Sequence, residues 1–318
     1  MPSSPVATSA ARGNPRHAYL ERPFTFARSS KACAEHPERN EDRIIADAAG
    51  GLAAVFDGVG GVAGGEIASR IAAQSIHTSW KRFIRTGSEN QARIRLVESF
   101  IRVAHERVRE EGTCRVKDQY GGILEPLAPK TTVALAVLHS MDQGPNYSVI
   151  YAWVGDSRVY LLPDGKPLTR LTHDDGLLTE LVNAHLLTEE SARHVDQATE
   201  AWQLSRTERM YFEKRNGITQ ALGDKITPSI HIQETVVGPG DRFLVCTDGV
   251  HDNLTDQELE ELLRKGARTT VARHIVDAAA ERSRHELSEA MRAKPDDMSA
   301  VVVTCHPLPE PSYREGQS

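Results

Sequence analysis

Eight short runs rich in β-branched and other apolar residues, each bounded by Gly, Pro or Asp, constrain this chain most. They are RIIADAA, GLAAVFDG, KTTVALAVLH, YSVIYAWVGDS, RVYLLP, HIQETVV, RFLVCTDG and MSAVVVTCH. Runs of that length and composition are strands. The tight turns AAGG, LPDG and GPGD between them predict antiparallel neighbours rather than helix crossovers. Two helical blocks interrupt the strands. In Glu66 to Ile84 the residues Ile67, Ile71, Ile76, Trp80 and Phe83 recur at helical spacing, and in Gln91 to Gly112 the residues Ile94, Val97, Ile101, Ala104 and Val108 do the same, which predicts an antiparallel helix pair. Nearer the C-terminus, Thr255-Asp-Gln-Glu258 is a capping box opening a helix that Gly266 closes, and Thr269 to Arg292 reads as a second long helix. Strands flanked by helix pairs predict an α+β sandwich of sheets with helices outside.

Three aspartates far apart in the chain sit beside turns at the edges of these runs: Asp57 in LAAVFDGVGG, Asp248 in DRFLVCTDGV and Asp296 in KPDDMSAVVV. A strand that ends in Asp-Gly delivers a carboxylate from a rigid element, and the glycine lets backbone or water approach it. Asp-Gly alone is also a common hairpin turn. Two such ends, with the triplet Asn40, Glu41 and Asp42 fifteen positions before Asp57, predict carboxylates gathered around Mg²⁺ or Mn²⁺, which oxygen-only ligands select over zinc. The loop Gly58-Val-Gly60 to Val62-Ala63 loosely meets a dinucleotide-binding pattern. No acidic residue stands about twenty positions on, where that pattern requires one, and no Lys-Ser/Thr follows for a Walker loop.

Composition narrows the function classes. With 318 residues and 39% hydrophobic content the chain has enough apolar material for an ordinary core. A net charge of −6 argues against a nucleic-acid protein. Cys33, Cys114, Cys246 and Cys305 are widely spaced without a C-x-x-C pair, which fits a reducing, cytoplasmic setting. No apolar run approaches membrane-spanning length, and the start MPSSPVATSAARGNPR carries no signal-like apolar region, so no membrane association is expected. None of the thirteen histidines has a ligand spacing, and no Ser-His-Asp or activated-Cys arrangement stands out. Asp224 and Asp252 read as turn or capping residues, and Arg158 and Arg170 as solvated or paired.

Taken in order, NEDR, FDGVGG with AGGEIAS, KTTVALAV, WVGDSRVYLL, GITQALGD, LVCTDGVHDNLT and DDMSAVVV form a series. On these motifs the chain resembles the metal-dependent Ser/Thr protein phosphatases of the protein phosphatase 2C (PPM) type, especially the bacterial ones, over about residues 24 to 307. The resemblance implies a four-layer αββα sandwich of two mostly antiparallel sheets flanked by helix pairs. It implies one phosphatase domain at 23–308, with a flap at about 176–215 and disordered tails at 1–22 and 309–318. It also implies two core Mn²⁺ or Mg²⁺ ions and a third, weaker one. Asp57 would bridge the core ions, Glu41 and the Gly58 carbonyl would complete one, and Asp248 and Asp296 the other. Asp42 would hold water at the site, and Asp156 would share the third ion with Asp248. The implied activity is hydrolysis of phosphoserine and phosphothreonine by a metal-bridging water, with phosphorylated proteins as partners, a cognate kinase alongside and a monomeric state. The alternatives are a phosphatase-fold regulatory binding module and a small-molecule phosphomonoester hydrolase.

The chain departs from the family at several places. Val59 stands where many eukaryotic relatives have a His thought to protonate the leaving group. The arginine that clamps phosphate in the family is replaced by Pro37, between His36 and Glu38, so His36 or Arg39 is the candidate substitute and His36 joins Asp42, Asp57 and Asp248 as a catalytic candidate. The family's T-x-D-H-S stretch reads Thr172-His-Asp-Asp-Gly176. After Gly176, Leu177, Leu181 and Val182 mark one helix and Thr188 opens a second. An insertion at 195–213 follows, carrying Trp202, Leu204, Met210, Tyr211 and Phe212, which either packs the flap or meets substrate or partner.

Overall fold

The computed structural model describes residues 23–59, 64–84, 90–112, 129–141, 144–285 and 290–307. The expected tails 1–22 and 309–318, Cys114 and positions 60–63 of the glycine loop lie outside them. The first half of the chain contributes β1 (Phe24–Lys31), β2 (Arg43–Asp47), β3 (Leu52–Phe56), β4 (Gly58–Val59), α1 (Gly64–Phe83), α2 (Asn90–Arg107), β5 (Lys130–Thr131), β6 (Val133–Ser140), β7 (Tyr147–Val154), β8 (Arg158–Leu162) and β9 (Thr169–Arg170). The second half contributes α3 (Leu177–Asn183), α4 (Glu189–Gln197), α5 (Arg206–Lys214), β10 (His231–Val237), β11 (Arg242–Cys246), α6 (Asp248–His251), α7 (Asp256–Lys265), α8 (Val271–Arg282) and β12 (Met298–Cys305).

Two five-stranded antiparallel sheets, ordered β1-β12-β11-β8-β9 and β10-β7-β6-β3-β2, stack face to face. Successive side chains on a strand point to opposite faces, and here both faces are dry. Ala53 and Val55 meet Phe243, Val245, Val301 and Val303 between the sheets. Leu52, Ala54 and Phe56 turn outward onto Ile67, Ile71, Ile101 and Ala104 of α1 and α2. On the far side Leu244, Cys246 and Val302 turn outward onto Leu259, Leu263, Ile275 and Val276 of α7 and α8. Double-sided burial is why these strands read as unbroken apolar runs, and each fully buried Val or Leu contributes roughly 1.5–3 kcal/mol. The layers run helix pair, sheet, sheet, helix pair, the α+β sandwich read from sequence.

Local structure corrects the sequence reading in several places. Strand β1 was not among the eight runs, because FTFARSSK carries polar residues, yet it pairs along β12 from Phe24↔Cys305 to Lys31↔Met298. It is an edge strand with partly exposed polar positions, and its partner's backbone specifies it. The run KTTVALAVLH splits at Thr132, whose amide donates to the Asp57 carbonyl at 2.8 Å. The turn GPGD does not join antiparallel neighbours. It carries the chain from β10 in one sheet to β11 in the other. The helix expected to run from Thr269 to Arg292 ends at Arg282 with Ser283 as its cap, and α2 gives way after Arg107 to a π-helical turn at Val108–Gly112. The capping box at Thr255 and Glu258 and the stop at Gly266 stand as expected.

Between β9 and β10 lies a helical excursion with its own small core of Val195, Ala198, Leu204 and Phe212, packed against Leu178, Tyr211 and Met291. Thr188 caps α4 by accepting from Ser191, and Ser205 and Glu208 form a capping box on α5. Of the inserted aromatics, Phe212 is buried and Trp202 projects outward at 78% exposure.

Candidate metal centre

Strand ends bring the carboxylates together. Asp57 follows β3 directly, and the two threonines of the KTT motif clamp its backbone. Its amide donates to Thr132 Oγ1 at 3.1 Å, and its carbonyl accepts from Thr131 Oγ1 at 2.7 Å. Asp156 lies in the turn from β7 to β8, entered through Gly155 at φ +97°, where a Cβ would also strike Thr132 at 2.7 Å. Only glycine serves there. Asp248 is the first residue of α6, directly after β11 and Thr247. Asp57, Asp156 and Asp248 each place a carboxylate oxygen within 4.8 Å of the other two.

Three carboxylates this close, with two of them buried, repel one another. Burial first and Asp248 second hold the Asp57 and Asp156 carboxyls well above the ordinary range. Asp156 Oδ1 and Asp248 Oδ1 are buried and have no hydrogen-bond partner. Buried polar atoms without partners are uncommon in folded proteins, and an all-oxygen set with open lone pairs fits a hard divalent cation.

The NED loop closes one side. Asp297 Oδ1 accepts from the Cys33 amide at 2.7 Å and Oδ2 from the Glu41 amide at 2.6 Å, so this aspartate fastens the loop. Asp42 is buried, with Oδ2 accepting from Thr247 Oγ1 at 2.8 Å and Oδ1 unpartnered, and burial raises its carboxyl well above the usual range. Glu41 is also raised by burial, and its Oε1 has no partner. A Cβ on Gly65 would meet the Gly58 oxygen at 2.5 Å and the Glu41 carboxyl carbon at 3.0 Å. Glu41 and the Gly58 carbonyl therefore share one small space at the start of α1. Neither Glu41 nor Asp296 belongs to the close trio. Asp296 faces Asp248 from the approach to β12, and burial and then Asp248 push its carboxyl up to about 7.

His36 sits in the turn before the NED loop, half-exposed. Its Nδ1 is 3.1 Å from the Arg39 carbonyl and 3.7 Å from Asp297 Oδ1, so it reaches the loop's fastener and not the carboxylate trio. Arg39 Nε is buried without a hydrogen-bond partner, 3.6 Å from Glu41 Oε1. Asp224 accepts from the Lys225 amide and pairs with Lys130, in keeping with a turn residue.

Sequence reasoning missed other residues. Asp252 is the C-cap residue of α6, as read from sequence, but it is not solvated. It is buried at the end of α6, 2.9 Å from Lys294 Nζ, and although burial opposes ionisation, Lys294 and then Arg215 hold its carboxyl well below the usual range. Lys294 Nζ also contacts Asp248 Oδ2 and lies 3.0 Å from Asp296 Oδ2. Arg158, read as solvated or paired, is paired, between Asp174 at 2.6 Å and Asp196 at 2.8 Å. Arg292 donates to the carbonyls of Asp196, Ala198 and His251. Beside this network an open groove of about 920 Å³ lies between the helical excursion and β10, lined by Trp153, Arg170, His173, Leu178, Arg193 and His231 among others.

A family model described as Protein phosphatase 2C matches residues 31–292. A putative protein phosphatase 2C-type of Streptococcus pyogenes serotype M6 is 29% identical over 214 residues, spanning 67% of this chain and 72% of its own. The serine/threonine protein phosphatase PstP of Mycobacterium tuberculosis is 27% identical over 267 residues, 83% of this chain but 41% of that relative's length. The crystal structure of the catalytic domain of a PstP, in complex with two manganese ions, matches the fold with a TM-score of 0.60 at 22% identity, covering 89% of this chain and 98% of that one.

Proposed function

Because the chain belongs to the protein phosphatase 2C family, we propose that it is a metal-dependent phosphatase of phosphoserine and phosphothreonine in proteins. The observation that carries this reading is the meeting of Asp57, Asp156 and Asp248 within 4.8 Å, with buried oxygens that no donor satisfies. In this reading Asp57, Glu41, the Gly58 carbonyl, Asp248 and Asp296 would hold two Mn²⁺ or Mg²⁺ ions, and Asp156 with Asp248 would offer a weaker third position. Bound there, the ions would supply positive charge against the phosphate dianion and lower the pKa of water toward neutrality.

The chain's own groups do the rest. Asp42 Oδ1, buried and unpartnered while Thr247 fixes its other oxygen, is the acceptor that orients water and takes a proton. Arg39, whose Nε is ion-paired with Glu41 at 3.6 Å, and His36 in the same turn are the candidate phosphate contacts in the absence of the usual arginine.

On this reading the partners are phosphorylated proteins and the kinase that makes them, and the phosphatase acts as a monomer. A cytoplasmic setting is supported by unpaired Cys33, Cys246 and Cys305. Among the described residues no helix is long and apolar enough to cross a membrane. Release of phosphate from a phosphothreonine peptide, measured with added Mn²⁺ and again with EDTA, tests the proposal. Activity is expected only with the metal, and full activity in EDTA overturns it.

A further inference from the structure

The ammonium of Lys294 lies among three carboxylates. It contacts Asp248 Oδ2, is 2.9 Å from Asp252 Oδ2 and 3.0 Å from Asp296 Oδ2. Two of these acids are proposed metal ligands and the third is not. The backbone of Lys294 is pinned on both sides by one side chain: its amide donates to Asn253 Oδ1 at 3.0 Å, and its carbonyl accepts from Asn253 Nδ2 at 2.9 Å. The root of the side chain is therefore fixed, while its four-carbon stem leaves the charge free to shift by a few ångströms. Asp252 is fixed as well, with Arg215 Nη2 3.8 Å from its Oδ1 and its amide bonded to the Asp248 carbonyl at 2.8 Å.

We propose that Lys294 is a tethered cation that competes with a divalent ion for Asp248 and Asp296, and that Asp252 is the carboxylate onto which its ammonium retreats when the ion binds. The inference rests on the metal reading above and adds what this chain does to that site. A divalent ion on Asp248 and Asp296 and an ammonium on the same two groups repel each other strongly at such separations. The ammonium must move, and Asp252 already accepts from it at hydrogen-bond distance without holding an ion. In the metal-free protein Lys294 balances part of the charge of Asp248, Asp252 and Asp296, so the acids stay assembled before an ion arrives. The consequence is a second metal position that fills only at higher Mn²⁺ than its ligands alone would need.

Calorimetric titration of chelator-treated protein with MnCl₂ tests this. The parent should show a weaker step after a tighter one. Lys294→Met should tighten the weaker step by at least about tenfold, the scale for removing one nearby like charge. Lys294→Gln should shift it in the same direction and serves if Lys294→Met does not fold. Asp252→Asn should weaken that step, because the ammonium is left with no other carboxylate to retreat to. In the Lys294→Met/Asp252→Asn double variant the effect of Asp252 should largely vanish, a coupling that independent charge effects would not produce. Mn²⁺ uptake by the parent with unchanged or weakened binding in both Lys294 variants overturns the competition and leaves the metal reading standing. No Mn²⁺ uptake by the parent overturns both.

Discussion

Arg158 Nη2 lies 2.8 Å from Asp196 Oδ1, and the two side chains are 2% and 5% exposed. The pair joins β8, two residues after Asp156, to the end of α4 in the helical excursion. Asp174 grips the same guanidinium from the other side at 2.6 Å, and Arg292 takes the backbone carbonyl of Asp196. The excursion is thus bolted to the first residue of the strand that follows a metal-ligand candidate.

Removing Asp196 should destabilise the fold in a pH-dependent way. Burial alone would raise its carboxyl, but Arg158 and then Arg170 outweigh burial and hold it well below the usual range. A group depressed in the folded state stabilises fully above its unfolded pKa, about 3.9, and loses that contribution as pH falls through the folded value. Asp196→Ala should cost about 1.5–3 kcal/mol at pH 7, because buried Arg158 loses one of its two carboxylate partners and keeps only Asp174. The gap between parent and Asp196→Asn in urea unfolding should narrow below about pH 4. A gap independent of pH would assign the loss to packing.

Asp57→Ala and Asp248→Asn should each lower Mn²⁺-dependent hydrolysis of p-nitrophenyl phosphate by at least about 10²-fold, since each removes a ligand from the shared centre. Steady-state rates at saturating Mn²⁺ decide it. A loss below about threefold in both would remove these acids from the chemistry.

Asp156→Ala should leave the two core ions bound and slow turnover. The backbone carbonyl of Asp156 still accepts from His251 Nε2, so the turn itself should survive. Calorimetry is expected to show one binding step fewer. Parent-like stoichiometry and rate would make Asp156 a structural residue.

For the missing phosphate clamp, Arg39→Ala should raise KM, because Arg39 is the guanidinium that stands beside the proposed metal ligand Glu41, 3.6 Å from its Oε1. His36→Ala should raise KM as well. If kcat and KM of the His36 variant match the parent, its bond to the Arg39 carbonyl is its whole role.

In the insertion, Phe212→Ala should cost about 3–5 kcal/mol, as it empties a small core and removes the ring beneath Arg215, whose guanidinium lies 3.7 Å from its centroid. Trp202→Ala, at an exposed position, should stay within about 0.5 kcal/mol of the parent. It should also leave p-nitrophenyl phosphate hydrolysis unchanged while altering rates among phosphoproteins. Excising 195–213 whole would not isolate substrate choice, since that segment contains Asp196. Equal melting temperatures for the two point variants would contradict the packing seen here.

Much of the fold was legible in the residues themselves. LAAVF, FLVC and AVVV are apolar throughout because both faces of their strands are covered, and a run that must bury both faces shows it at every position. Asp57, Asp248 and Asp296 were legible as a group because each adjoins such a run. The KTT motif was visible without its reason, which is the clamp of Thr131 and Thr132 on the Asp57 backbone. Strand β1 escaped because an edge strand takes its identity from its partner. GPGD escaped because the same turn residues serve a hairpin or a step between sheets. Neither the burial nor the partners of Lys294, Asp252, Arg158 and Asp196 were legible, for a local pattern says nothing of partners 42, 46 or 38 positions away. Sequence by itself determined the strands, the helix pairs and the carboxylates at strand ends, because periodicity and turn chemistry act over a few neighbouring residues. Tertiary structure alone decided which charges meet in the dry interior, because desolvation and Coulomb energy depend on distance through space and not along the chain.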